Sequence, residues 1–195
     1  MRISHTLAAG LTAVTLVLTM DGCNSKPTPP TGSRAPALTS SAAAQPSDYA
    51  KLLIQASDIV APEPFTASPP TNNPNGQPGV ATTFKTEDGI HVIHDTIQVL
   101  ADGTAATNAL NAAKGAQANT LKHPSTQPAN IGTGGTTVMG NSPDHSKGVT
   151  ILLFTEGKAF VTLQFDGPVD SLAPPDFVND VGQKQDAAVK KGLGG

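Results

Sequence analysis

Apolar and polar residues alternate in two stretches of the chain, with the period of two that is typical of strands buried on one face. In one stretch the strands are joined by a polar turn at residues 155–158, and in the other by a turn that contains Asp88-Gly89, a strong hairpin signal. A further short strand is predicted within the Gly/Thr-rich segment 131–140. The five predicted strands are residues 80–85, 90–100, 136–139, 149–154 and 159–165.

The alternation changes phase within the strand predicted at residues 90–100. Ile90 and Val92 fall on one face of a regular strand, whereas Ile93 and Ile97 fall on the other. A β-bulge near His94-Asp95, or burial of the strand on both faces, would reconcile the two patterns.

Helical spacing of apolar residues predicts three helices. A short one begins near Ser47, an Ala-rich one runs from the N-cap Asp102 to about Leu121, and the last runs from about Pro175 to Lys191. The small side chains of the Ala-rich helix permit either close packing or an apolar cavity beside it. Together these elements predict an α+β domain, in which an antiparallel sheet of about five strands is flanked by two or three helices.

Residues 1–22 have the pattern of an export signal. Arg2 supplies a positive charge, and residues 7–20 form an apolar run that is too short to span a bilayer as a helix. The signal ends at Gly22-Cys23, and Cys23 is the only cysteine of the chain. This arrangement resembles a bacterial lipoprotein signal, which implies cleavage before Cys23, acylation of that cysteine, and anchoring on the outer face of the cell membrane.

Residues 23–46 form a Pro/Ser/Thr/Ala-rich stretch without apolar periodicity. Its prolines remove backbone donors and favour extended conformations, and the stretch has too little apolar surface to offset the entropy of ordering. We therefore expect a flexible, disordered tether between the signal peptide and a single α+β domain at residues 47–195.

Composition restricts the partners of this domain. The formal net charge is −3, from 12 Lys and Arg against 15 Asp and Glu, and the basic residues do not cluster. Such a chain lacks both the basic footprint for nucleic acid and the polybasic segment that holds a protein on anionic lipid. The expected partners are the membrane, through acylated Cys23, and an envelope protein or lipid.

Three segments contain residue types that occur in functional sites. His91 and Asp95 would share one face of a strand and His94 the other, so the two histidines could not bind one metal ion, and solvent-facing polar residues are the simpler interpretation. Residues 142–145 include the Ser, Asp and His of a hydrolytic triad, but a polar turn is again simpler. Residues 132–135 lack the lysine of a phosphate-binding loop and are interpreted as a flexible connection. No catalytic residue, metal site or cofactor is predicted.

The order of elements over the folded part is similar to that of the LpqN-type lipoproteins of mycobacteria and related actinobacteria. This resemblance implies a PsbP/Mog1-like sandwich, with an antiparallel sheet flanked by helices. The segment from Ala50 to Ile59 also resembles the opening helix of mycobacterial extracytoplasmic sensor-like domains, which often carry disulfides that a chain with one cysteine cannot form internally. The resemblance transfers no functional residue other than Cys23, and it implies a non-catalytic role in the envelope.

The sequence therefore predicts a lipid-anchored envelope lipoprotein that is not an enzyme and whose domain has a binding, sensing or scaffolding role. A carrier of a lipid or another apolar ligand is the alternative function, and a hydrolase is the third. The carrier requires a pocket for an apolar molecule, so the presence or absence of such a pocket is the structural test between them.

Overall fold

An antiparallel sheet of eight strands forms the centre of the part of the chain that the computed structural model describes, residues 46–169 and 171–194. The predicted signal peptide, most of the predicted tether, and Cys23 lie outside these residues. The strands are β1 (Thr66–Ala67), β2 (Thr71–Asn72), β3 (Gly79–Lys85), β4 (Val92–Val99), β5 (Lys122–Pro128), β6 (Thr133–Asn141), β7 (Lys147–Glu156) and β8 (Ala159–Pro168).

Two α-helices and three 3-10 helices accompany the sheet in the described residues. The α-helices are α1 (Gly103–Thr120) and α2 (Pro175–Leu193), and the 3-10 helices are Pro46–Leu52, Ala56–Asp58 and Pro74–Gly76. The strand order is β1-β3-β4-β8-β7-β6-β5, with β2 also paired to β3, and every pairing is antiparallel. No helix in residues 46–169 and 171–194 is long and apolar enough to cross a membrane.

The predicted α+β class is confirmed, but the predicted sheet of about five strands is too small. All five predicted strands are present, and the sequence interpretation missed β1, β2 and β5. Every residue of these three strands is exposed, so none of them has the apolar alternation by which a half-buried strand is recognised. The predicted N-cap is also confirmed, because the Asp102 side chain accepts a hydrogen bond of 2.8 Å from the backbone N–H of Ala105.

The phase change predicted for the second strand has a simple origin. β4 begins at Val92 and alternates regularly to its end, with its odd-numbered residues buried and its even-numbered residues partly exposed. Its pairing with both β3 and β8 runs without a register shift, so the proposed bulge is wrong. Ile90 lies in the preceding turn and is 52% exposed. The buried position between Ile93 and Ile97 is occupied by Asp95.

The two α-helices cover opposite faces of the sheet. Leu110 of α1 packs into a small apolar cluster formed by side chains of β7 and β8. The larger core lies on the other face, where α2 and the 3-10 helix Pro46–Leu52 pack against the sheet. The buried sheet residues of this larger core are Val80, Phe84, Ile93, Ile97, Val99, Leu152, Phe154, Ala159, Val161, Leu163 and Phe165.

A buried glutamine joins the N-terminal 3-10 helix to α2. The Gln185 side chain is fully buried; its Nε2 donates to the carbonyl of Leu52 at 2.6 Å, and its Oε1 accepts from the N–H of Ile54 at 3.2 Å. Because these backbone groups lie where the 3-10 helix ends, they have no further helical turn to satisfy them. One side chain of α2 therefore satisfies two buried polar groups that lie more than 130 positions earlier in the sequence.

Replacing this glutamine by leucine should destabilise the domain. Gln185→Leu keeps a side chain of similar size but leaves the carbonyl of Leu52 and the N–H of Ile54 buried without partners, at a cost of about 2 kcal/mol or more in the free energy of unfolding. Urea denaturation followed by circular dichroism measures this loss. Gln183→Leu, at an exposed position of the same helix, is the matched control. Equal stabilities of the two variants would contradict the proposed role of Gln185.

Candidate functional site

A cleft of about 790 Å³ opens at the end of the sheet where β4 starts and β8 finishes. One wall is the segment 60–63 that leads towards β1, and the other is the segment 171–174 together with the first turns of α2. The cleft lies at the N-terminal end of α2, so it is not beside the Ala-rich helix α1, where the sequence had allowed a cavity. α1 packs instead against β7 and β8 through Leu110 and its neighbours.

Three phenylalanines line the inner surface of the cleft. They are Phe65, Phe165 and Phe177, half of the six phenylalanines of the protein. The rings of Phe65 and Phe177 are stacked with centroids 6.3 Å apart, and Phe165 meets Phe177 edge to face at 5.8 Å. Because such pairs are favourable beyond the apolar area that they bury, this trio forms a pre-ordered apolar surface at the base of the cleft.

The mouth of the cleft carries apolar side chains that water can reach. Val60 is 72% exposed and Leu172 is 41% exposed, and both line the cleft. Ile90 and Val169, exposed by 52% and 43%, each lie next to or close to lining residues in the sequence. These four are the large hydrophobic residues most exposed in the described part of the chain. They lie in or near the cleft in sequence, whereas exposed apolar residues scattered singly over a surface would be unremarkable.

Among the residues that the structure describes, four carboxylates and one histidine are the ionisable groups that line the cleft. Asp180 forms an ion pair of 2.7 Å with Lys184, one turn further along α2, and Asp166 forms one of 3.0 Å with Lys147. Glu63 and Asp176 have no ion-pair partner among the described residues. The cleft therefore combines an apolar interior with a mouth of negative charge.

Asp166 is the most strongly bound of these carboxylates. Besides Lys147, the Gln164 amide donates to its Oδ1 at 2.7 Å, and the ring of His94 lies 3.8 Å from its Oδ2. Burial alone would raise the pKa of Asp166, but His94, Gln164 and Lys147 together lower it to about 2. Sequence reasoning missed this residue, because its partners come from three different strands.

The prediction that both histidines lie on one strand is wrong, because His94 belongs to β4 and His91 precedes it. His94 lies on the face of β4 that is only partly exposed, where Thr83 Oγ1 is 3.3 Å from its Nδ1. His91 precedes β4, lines the cleft, and packs near Gly167. Thr83, His94 and Asp166 are residue types of a proton relay, but 3.8 Å is too long for a hydrogen bond between His94 and Asp166. No group of three or more potential metal ligands occurs in the described residues.

The prediction that Asp95 faces solvent is wrong. Asp95 is fully buried on the core face of β4, opposite Thr82 of β3 and Leu163 of β8. Neither carboxyl oxygen has a hydrogen-bond partner among the described residues. Burial without a compensating charge raises the pKa of Asp95 to about 8, so this side chain is mainly protonated at neutral pH.

The predicted polar turn at residues 142–145 is confirmed. The Ser142 hydroxyl donates to Asp144 Oδ1 at 2.5 Å, and the Ser146 hydroxyl donates to both Asp144 oxygens. These hydrogen bonds lower the pKa of Asp144 to about 2. The hydrogen bond between Ser142 and His145 runs from the backbone N–H of His145 to the backbone carbonyl of Ser142. It therefore does not involve the histidine ring, which would have to contact the serine hydroxyl to activate it.

The glycine-rich segment 132–135 consists of the closely packed start of β6 and the residue before it. Gly132 has a φ of 53°, and a Cβ there would lie 2.6 Å from the Phe154 ring and 2.7 Å from the carbonyl of Thr155. Glycine is therefore required at this position by both conformation and space, and close packing explains the residue better than the predicted flexibility.

The fold is similar to that of a known extracellular domain. The crystal structure of the extracellular domain of PknH from Mycobacterium tuberculosis superposes with a TM-score of 0.51 and 10% sequence identity, over 76% of this chain and 96% of that chain. The similarity shows a shared fold with a mycobacterial extracellular domain, but it does not reach the LpqN-type family specifically. No protein-family model matches the chain, and no curated protein sequence matches it.

The buried carboxyl should make stability depend on pH. Asp95 keeps its proton in the folded state up to about pH 8, whereas in the unfolded chain it ionises near its ordinary value of 3.8. The wild-type protein should therefore lose up to about 1.4 kcal/mol of unfolding free energy per pH unit between pH 4 and 8 from this group. Asp95→Asn should remove that slope, as measured by urea denaturation at several pH values.

The exposed Glu87 of the β3–β4 turn provides the control for this measurement. Glu87→Gln removes a carboxyl without touching the core, so the slope should persist. A wild-type slope that survives in Asp95→Asn would mean that Asp95 is not the group responsible.

Proposed function

We propose that this protein is a non-catalytic, lipid-anchored binding protein of the cell envelope, whose domain holds an apolar ligand in the cleft at the end of the sheet. The observation that carries the proposal is the cleft itself, which has a base of three phenylalanines and exposed apolar side chains at its mouth. Its volume of about 790 Å³ falls within the range of pockets for small organic ligands. This favours the carrier or sensor interpretation of the sequence over a purely structural scaffold.

Several observations support a non-catalytic role. The polar residues at residues 142–146 are engaged with one another in a turn. Asp166 at the cleft wall is held by an ion pair and a hydrogen bond, which keep it ionised and leave it poorly suited to exchange protons near neutral pH. The described residues of the cleft offer apolar contact, and no hydrogen bond pairs a nucleophile with a base among them.

The location at the envelope is part of the same proposal. It is supported by the lipoprotein-like signal that ends at Cys23 and by the fold shared with an extracellular mycobacterial domain. Membership of the LpqN-type lipoproteins remains a proposal that rests on the order of elements. In this view acylated Cys23 anchors the protein to the membrane, and residues 24–46 tether the domain to its anchor.

A protein partner is the second candidate for the cleft, and the exposure of Val60 and Leu172 favours it. Burying two such side chains would stabilise a complex by about 1.5 kcal/mol or more each. The two candidates differ in what accompanies the protein when it is purified gently from native membranes. An apolar ligand should appear as a bound small molecule in native mass spectrometry, whereas a docking site should retain a polypeptide.

An apolar probe should bind in the cleft and be excluded by a bulky residue there. The neutral dye N-phenyl-1-naphthylamine fluoresces in apolar surroundings, so its emission should rise on binding to the chain from residue 23 onward that carries Cys23→Ala. Ala61→Trp, in the cleft wall, should weaken this binding by about tenfold or more, a loss of about 1.4 kcal/mol. Ala112→Trp, at an exposed position of α1, is the matched control. Equal binding by both variants would place the probe elsewhere and contradict the proposal.

Acylation of the cysteine should determine how the protein partitions into detergent. When the protein is expressed in a host that acylates lipoproteins, wild-type protein should enter the detergent phase of Triton X-114, because acyl chains supply the membrane affinity. Cys23→Ala protein from which residues 1–22 have been removed should enter the aqueous phase. Ser25→Ala is the control and should behave as wild type. Detergent partitioning of the Cys23→Ala protein would show that another feature anchors it.

A further inference from the structure

We infer that the ligand of the cleft carries a positive charge beside its apolar body, as an alkylammonium or similar cationic amphiphile does. This inference rests on the proposed apolar-ligand function and specifies the chemical class of the ligand. The apolar body would lie against Phe65, Phe165 and Phe177, and the cationic group would lie at the mouth near Glu63 and Asp176.

The charge along the walls of the cleft is predominantly negative. The described residues that line it include four carboxylates but no lysine or arginine, and His91 is the one basic side chain among them. Lys147 and Lys184, which do not line the cleft, neutralise Asp166 and Asp180. The charges of Glu63 and Asp176 remain without an ion-pair partner in the described residues. A cation at the mouth would provide a partner that the described residues do not supply.

The two carboxylates without an ion pair come from different segments of the lining. Glu63 belongs to the segment that leads towards β1, and Asp176 lies in the first turn of α2. Asp176 also lies at the positive end of the α2 helix dipole, where a negative charge is stabilised. Because both carboxylates line the same cleft, a cationic group bound at its mouth would be attracted by both charges.

The phenylalanine rings at the base of the cleft are also suited to a cationic ligand. Aromatic rings present a negative face, and a cation that lies over such a face is attracted to it. Phe177 is only partly buried and belongs to the same turn of α2 as Asp176. Phe65 and Phe165 hold its ring by stacking and by edge contact. One turn of the helix thus presents a carboxylate and an aromatic ring to the same space.

The same charges act against anionic ligands. A fatty acid carboxylate or a lipid phosphate at the mouth would meet Glu63 and Asp176 with like charge, and His91 is the one lining group that could offset this repulsion. His91 packs near Gly167 and is close in sequence to Asp88, so its own surroundings are also acidic. The mouth is therefore suited to a cationic group and poorly suited to the surface of an anionic bilayer.

The test compares three ligands of equal chain length. Decyltrimethylammonium, decanol and decanoate, each kept below the concentration at which it forms micelles, are used to displace N-phenyl-1-naphthylamine from the chain that starts at residue 23 and carries Cys23→Ala. The cation should bind about tenfold more tightly than the anion, with the alcohol between them. The preference should shrink as salt is raised from 20 mM to 500 mM, because partly exposed charges are screened.

Two variants and one control locate the effect. Glu63→Gln and Asp176→Asn should each lower the affinity for decyltrimethylammonium by about threefold, while leaving the affinity for decanol unchanged. Glu87→Gln, which removes an exposed glutamate outside the cleft, should change neither affinity. Unchanged affinity for the alcohol shows at the same time that the variants are folded and that the apolar part of the cleft is intact.

The outcomes separate this inference from the function on which it rests. If the three ligands bind equally, or the anion binds best, the cleft binds apolar ligands but the inference that its ligand is positively charged is wrong. If the cation is preferred but neither Glu63→Gln nor Asp176→Asn changes that preference, the assigned charges are wrong. If no ligand displaces the probe and the probe itself does not bind, the proposed apolar-ligand function fails as well.

Discussion

The structure depends on the antiparallel pairing of β8 with β4 on one side and β7 on the other. β7 and β8 form a local hairpin, whereas β4 lies sixty residues or more away in the sequence from the part of β8 that it contacts. The register pairs Val92 with Asp166 and Ile93 with Phe165, so that the start of one strand and the end of the other form the base of the cleft. A shift of one residue would turn every side chain of β4 to the other face.

The sequence predicted local features that have an apolar pattern or a turn or cap signal, and it missed features that have none. The hairpins, the capped helix at Asp102 and the turn at residues 142–145 depend on neighbouring residues, and the structure confirms them. β5 was missed because its side chains are all exposed. The cleft could not have been predicted, because it forms where segments 60–63 and 171–174 meet the ends of β4 and β8, and no local pattern encodes that meeting.

Asp95 shows that the apolar pattern of a strand can be interpreted correctly while the environment of one of its polar residues is predicted wrongly. The odd-numbered apolar residues of β4 imply that position 95 faces the core, but a carboxyl group there contradicts the usual preference for exposure of charged residues. The sequence interpretation placed Asp95 in solvent because it is an aspartate, whereas the alternation of the strand places it in the core. The carboxyl remains in the core because it is protonated there. Its burial still lowers the stability of the fold, and packing has to offset this loss because a chain with one cysteine cannot form an internal disulfide.

The exposed strand β5 determines how the edge of the sheet can pair with a second copy of the domain. It is the last strand at its end of the sheet, and an unpaired strand edge is a template on which a second copy of a protein can add its own strand. Pro124 and Pro128 lack the N–H that such an addition needs, and His123, with a φ of 50°, interrupts the ladder between Lys122 and Ser125. Such an edge disfavours the addition of a strand from a second copy. Copies of the domain that meet at high concentration should therefore not pair edge to edge at β5.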